Sequence, residues 1–129
     1  MIPLRIHNIL DYVGGVVLLL SPYLFDFSSV DSARNTFLFL GAGLILYSLI
    51  TRYPYSIAKI IPLDVHMGLD VIAALALMVA PWALGYNSRL TNGQLGWHFV
   101  LGIGLIAMVA FTDRVLKLLN ASVENRNAA

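Results

Sequence analysis

Two short motifs, His7-x-x-x-Asp11 and His66-x-x-x-Asp70, carry the side chains most capable of chemistry in this chain. On a helix, a spacing of four places both members of each pair on one face. An imidazole beside a carboxylate can tie neighbouring helices together, pass a proton, or help to hold a metal ion or a haem iron. The third histidine, His98, stands apart and is expected to be satisfied by water or a nearby carbonyl. There is no cysteine, so disulfides, thiolate metal sites and cysteine nucleophiles are excluded. No nucleophile–base pair and no metal-ligand spacing of recognised type is present, so the sequence assigns no catalytic residue, no metal and no resident cofactor.

The elements that must position these groups follow from composition. Of 129 residues, 59% are hydrophobic and only 12% charged, with a mean hydropathy of +0.80. A soluble domain of this size carries about 25% charged residues. Apolar residues gather into four runs near 7–27, 35–51, 65–84 and 95–112, each close to the roughly 20 residues that cross a bilayer core as helix. The runs lack strand-like alternation, and backbone polar groups in lipid must be satisfied within each segment, so helices are predicted and the lipid bilayer is the expected partner. A net charge of +1 makes no case for nucleic acid. The first run contains Asp11 and ends in Ser21-Pro22-Tyr23, which argues against removal as a signal peptide.

The chain also matches itself. At an offset of 59 residues, Ile2-Pro3-Leu4 meets Ile61-Pro62-Leu63, His7 meets His66, Asp11 meets Asp70, and Pro22 meets Pro81. Tyr23 falls on Trp82 and Phe27 on Tyr86. After a two-residue insertion, Gly41 and Gly43 fall on Gly102 and Gly104, Phe37 on His98, and Thr51 on Thr112. Each unit holds two crossings, so both copies enter the membrane in the same direction, which makes the repeats parallel. The expected fold is therefore all-α, a four-helix transmembrane bundle from two tandem helical hairpins. Residues 1–53 form the first repeat, 54–120 the second with a short interfacial lead-in, and 121–129 a disordered tail. Gly14, Gly15, Gly41, Gly43, Gly102 and Gly104 are expected to let helices approach closely.

The segments around the conserved prolines, Ser21-Pro22-Tyr23 and Ala80-Pro81-Trp82, together with the His-x-x-x-Asp opening each unit, resemble the SPW repeat family. Those are small bacterial integral membrane proteins named for a Ser-Pro-Trp motif found once per repeat. The first copy here has Tyr for Trp and the second has Ala for Ser. The resemblance implies the membrane-embedded fold and a bacterial inner membrane, and it implies no activity.

Arg5, Arg52, Lys59, Arg114, Lys117 and Arg126 lie at the termini and in the central loop, against Arg34 and Arg89 in the other two loops. The positive-inside rule then places both termini in the cytoplasm. Tyr23, Phe25, Phe27, Trp82, Tyr86 and Trp97 are expected to form an outer aromatic belt, and Tyr53, Tyr55 and Lys59 to anchor the central stretch at the inner surface. Thr91 and Gln94 have capping-box spacing at the start of the fourth helix, and Asp31 or Ser32 could cap the second. Three functional readings follow: a structural or accessory membrane component, acting as a homo-oligomer or within a larger complex; a small proton, ion or solute transporter; and a haem-binding protein with His7 and His66 as axial ligands.

Overall fold

The computed structural model describes residues 2–128, apart from the side chains of residues 113–116 and 119. It contains five α-helices: α1 (Leu4–Leu24), α2 (Asp31–Leu49), α3 (Leu63–Ala83), α4 (Asn92–Ala110) and α5 (Asp113–Ala128). A 3-10 turn spans Asn87–Arg89, and no strand occurs among the described residues beyond two isolated bridges. Three helices, α1, α3 and α4, are long and apolar enough to cross a membrane. The polar first turns of α2, with Asp31, Arg34 and Asn35, keep it out of that class.

The local causes of these helices recur along the chain. Pro3 and Pro62 precede α1 and α3 in extended conformation, with φ of -63° and -61°, and their carbonyls accept the first helical bonds from the His7 and His66 amides. Proline suits this position because its φ is already set and its missing N–H would have no helical partner. Pro22 and Pro81 lie in the last turns of the same helices. The chain then turns through a left-handed residue in each case, Asp26 at φ 58° and Gly85 at φ 73°. Thr91 and Gln94 form a reciprocal capping box on α4, as the spacing predicts. The expected cap on α2 is corrected: Val30 is the N-cap without a side-chain bond, and Asp31 and Ser32 lie inside the first turn.

α1 packs on α2, α3 on α4, and α2 on α3. Close approach depends on three of the six glycines. A Cβ at Gly41 would lie 2.8 Å from the Gly15 carbonyl oxygen, and one at Gly15 would collide with the Ile45 side chain. The equivalent contact between α3 and α4 sets Gly102 against Ala74 and Met78, where a Cβ would lie 3.1 Å from the Ala74 carbonyl oxygen. Gly14 meets Leu44 at an ordinary 3.7 Å, whereas Gly43 and Gly104 have nothing within 4 Å. Those last two make no close approach within the chain, because a shift of two residues turns a position to the far side of a helix.

Val13, Val16, Phe39, Leu46, Ile72 and Ile103 point outward and are about half or more exposed. Apolar surface this continuous suits lipid, not water. Tyr23, Phe25 and Trp82 are also exposed, but Phe27 and Tyr86 are buried in the core and leave the expected belt. Tyr53 is likewise buried instead of anchoring at a surface. The expected disordered tail is corrected as well: α5 carries the chain as helix through Ala128, favoured by Leu118, Ala121 and Glu124.

Replacing Gly41 with Ala forces α1 and α2 apart against rigid backbone and is expected to lower stability by about 1–3 kcal/mol. Gly43→Ala, two residues on, is expected to leave it unchanged, and thermal unfolding of the detergent-solubilised protein followed by circular dichroism compares the two.

Candidate functional site: a crossed histidine–aspartate cluster

The two motifs meet. His7, Asp11, His66 and Asp70 are all fully buried, and one ligand atom from each lies within 4.8 Å of the others. The tightest pairing crosses between the halves of the chain. His66 Nε2 is 2.9 Å from Asp11 Oδ2, and His7 Nε2 is 3.2 Å from Asp70 Oδ2. Within each motif the separations are longer, 3.4 Å from His7 to Asp11 Oδ1 and 3.3 Å from His66 to Asp70 Oδ2.

What holds the imidazoles in this orientation lies just beyond the ends of α2 and α4. Thr51 and Thr112 each donate their hydroxyl proton to a carbonyl one turn earlier, those of Tyr47 and Met108. Each hydroxyl oxygen is then free to accept, and receives Nδ1–H from a histidine: Thr112 from His7 at 2.6 Å and Thr51 from His66 at 2.8 Å. With Nδ1 carrying hydrogen, both Nε2 atoms are directed at the carboxylates. Each short N···O contact then requires a shared proton or another cation to be attractive. Backbone bridges reinforce the arrangement. The segment entering α1 pairs with the one leaving α4, at Ile2 and Thr112, and the segment entering α3 pairs with the one leaving α2, at Ile61 and Thr51.

The surroundings of the two acids are lopsided. Tyr47 donates its hydroxyl to Asp70 Oδ1 at 2.6 Å. The position equivalent to Tyr47 in the other half is Met108, which has no O–H, and Asp11 Oδ1 has no hydrogen-bond partner. Tyr53 lies edge-on to His66, with ring centroids 4.6 Å apart, and its buried hydroxyl is also without a bond. Burial first, then the neighbouring Asp11 charge, raises the Tyr53 phenol above its ordinary range, so it stays protonated. Asn8 Oδ1 accepts from the Tyr55 amide at 2.9 Å, fixing the loop that carries Tyr53.

Other residues singled out in the sequence lie elsewhere. His98 donates from Nδ1 to the Gln94 carbonyl at 2.8 Å, so its Nε2 accepts from the Tyr86 hydroxyl at 2.9 Å. It lies edge-on to Phe37 and tilted against Phe27 at the opposite end of the helices from the His–Asp cluster and is not part of it. Burial raises the Tyr86 phenol too. In the proline motifs, Ser21 is buried, donates to the Val17 carbonyl and accepts from Trp97 Nε1 at 3.0 Å. In the second copy Ala80 replaces that serine, and the position equivalent to Trp97 is Thr36, which bonds to the Ser32 carbonyl instead.

The residues that sequence reasoning missed are Thr51, Thr112, Tyr47 and Tyr53. Thr51 and Thr112 coincide when the halves are aligned, and that coincidence was their only signal; Tyr47 and Tyr53 gave none.

The three apolar helices and the lipid-suited surface indicate a helical membrane protein. The chain belongs to the SPW repeat family, whose SPW repeat domain matches residues 5–112. No curated protein matches it. No solved structure matches it either.

Tyr47→Phe is expected to cost about 1–3 kcal/mol, because it leaves Asp70 Oδ1 buried without a donor. Tyr53→Phe removes a buried hydroxyl that neighbours Asp11 without a short hydrogen bond, and is expected to cost less than Tyr47→Phe. Thermal melts of the two variants separate these outcomes.

Proposed function

We propose that the chain is a four-helix transmembrane bundle of two parallel tandem hairpins, 1–53 and 54–120, acting as a non-enzymatic structural or accessory component of the bacterial inner membrane. The observation that carries this reading is the crossed wiring of the cluster: each acid's shortest imidazole contact comes from the other hairpin. A buried carboxylate far from water is costly unless compensated, so the two hairpins are held in one register by their need for each other's charges. The distribution of Lys and Arg supports placing both termini and the central loop in the cytoplasm, with the cluster about one helical turn inside that boundary.

A transporter reading needs a polar route to the acids. One apolar groove is lined by residues such as Ser32, Phe39 and Ala83 and another by Leu10, Leu44 and Met108, and among the described residues neither lining includes a member of the cluster. A haem reading needs both Nε2 atoms free to meet one iron, and here each is within 3.2 Å of a carboxylate oxygen, His7 of Asp70 and His66 of Asp11. Association with a second copy or a larger membrane complex forms part of the proposal. Gly43 and Gly104, open on the outside, suit close helix packing in lipid.

Asp11→Asn and Asp70→Asn are each expected to lower the stability of the solubilised protein by about 3–5 kcal/mol, the cost of breaking a buried pair. Stability unchanged in both variants, together with loss of a cellular phenotype, would overturn the structural role. In liposomes loaded with a pH-sensitive dye, the protein is expected to give no flux above empty vesicles. Reporter fusions at both ends are expected to read cytoplasmic, and opposite readings would remove the parallel-repeat topology.

A further inference from the structure

We infer that the His7–Asp11–His66–Asp70 cluster is a binding site for one divalent transition-metal ion, with zinc the best fit. The inference uses the geometry of the site described above but not its structural role.

Three observations carry it. The first is the shape of the donor set. A tetrahedral ion with bonds to nitrogen and oxygen of about 2.0–2.2 Å sets its ligand atoms roughly 3.3–3.6 Å apart. The histidine–aspartate contacts are 2.9 Å from His66 and 3.4 Å from His7 to the two oxygens of Asp11, and 3.2 and 3.3 Å from His7 and His66 to Asp70 Oδ2, while one ligand atom from each of the four residues lies within 4.8 Å of the others. Short histidine–aspartate contacts are what a cluster held by protons shows, and an ion entering it moves the four donors from those contacts to its own ligand spacing.

The second is the direction of the ligands. Metal-binding imidazoles as a rule donate their other N–H to a fixed acceptor, which sets the tautomer and turns the free nitrogen toward the ion. Thr112 and Thr51 do this for His7 and His66, and Tyr47 steadies Asp70 in the same way. The third is Asp11 Oδ1, fully buried, without a hydrogen-bond partner and directed at His7 Nε2. It is a carboxylate oxygen with a lone pair to give.

Charge points to a divalent ion. Two neutral imidazoles and two carboxylates carry a charge of −2, which two protons or one divalent cation neutralise, so each ion that enters releases two protons. Imidazole and carboxylate donors without thiolate suit Zn²⁺ and its neighbours in the first transition row. Four protein ligands leave no open position for water, which fits a structural ion in place of a catalytic one. Two residues four apart could not make this set; the second pair has to arrive from the other half of the chain.

The test uses the full, tag-free chain in detergent, stripped with EDTA, dialysed, and then given ZnCl2 or CoCl2. The expected result is about one ion retained per chain by elemental analysis, the visible bands of tetrahedral Co²⁺, and a Tm that rises with Zn²⁺ concentration. His7→Gln and His66→Gln are expected to lose the cobalt bands, while the surface variant Glu124→Gln keeps them. Wild-type protein that retains no ion and whose Tm does not respond to Zn²⁺ overturns the inference, whatever the variants do. So does cobalt absorption that persists in both histidine variants. If the wild type ignores metal while Asp11→Asn and Asp70→Asn still destabilise it, the metal site falls and the structural role stands. Stoichiometric binding with stable aspartate variants gives the reverse.

Discussion

Two carboxylates lie in the apolar interior of this protein with no access to water, and the rest of the structure is organised around compensating them. In a low-dielectric interior a charge without a partner costs several kcal/mol even after relaxation, more than most helix contacts return. Asp11 and Asp70 are compensated by each other's imidazoles, and the imidazoles are aimed by threonines placed just past the helix ends. The small residues close each half internally, α1 on α2 at Gly15 and Gly41 and α3 on α4 at Ala74 and Gly102. The threonines reach across to the other half, Thr51 after α2 to His66 on α3 and Thr112 after α4 to His7 on α1.

The two halves share a plan and differ in matched pairs. Where the first half sets Phe27 edge-on to Phe37, with centroids 5.0 Å apart, the second sets Tyr86 beside His98 and joins them by a hydrogen bond. Where Ser21 accepts from Trp97, the counterpart positions hold Ala80 and Thr36, neither of which needs the other. A polar group introduced into such an interior must bring its partner, or it is left unsatisfied at a cost of about 1–3 kcal/mol. Tyr47 has no counterpart at Met108, and Asp11 Oδ1 is among four buried side-chain polar atoms of the described residues without a hydrogen bond, with Asn8 Nδ2, Ser48 Oγ and the Tyr53 hydroxyl.

Helix positions, the proline-marked ends and the capping box at Thr91 were legible in the sequence, because each rests on local chemistry within a turn or two. The His–Asp spacing was legible too, as was its recurrence. Its crossing was not, since nothing in a sequence says whether an acid pairs along its own helix or with the helix 59 residues away. Phe27, Tyr86 and Tyr53 were misplaced at the membrane surface because amphipathic rings suit both an interface and a core, and only tertiary contacts decide between them. The tail after Asn120 was read from its polarity, whereas good helix formers continue it as α5.

Crossed wiring also orders events during synthesis. When the first hairpin leaves the ribosome, Asp11 has only His7 on its own helix, at the longest of the four separations, and Thr51 has no ring to receive. Asp11 lacks its shortest imidazole contact until His66 has been made. Final settling of the N-terminal half is therefore timed by the C-terminal half.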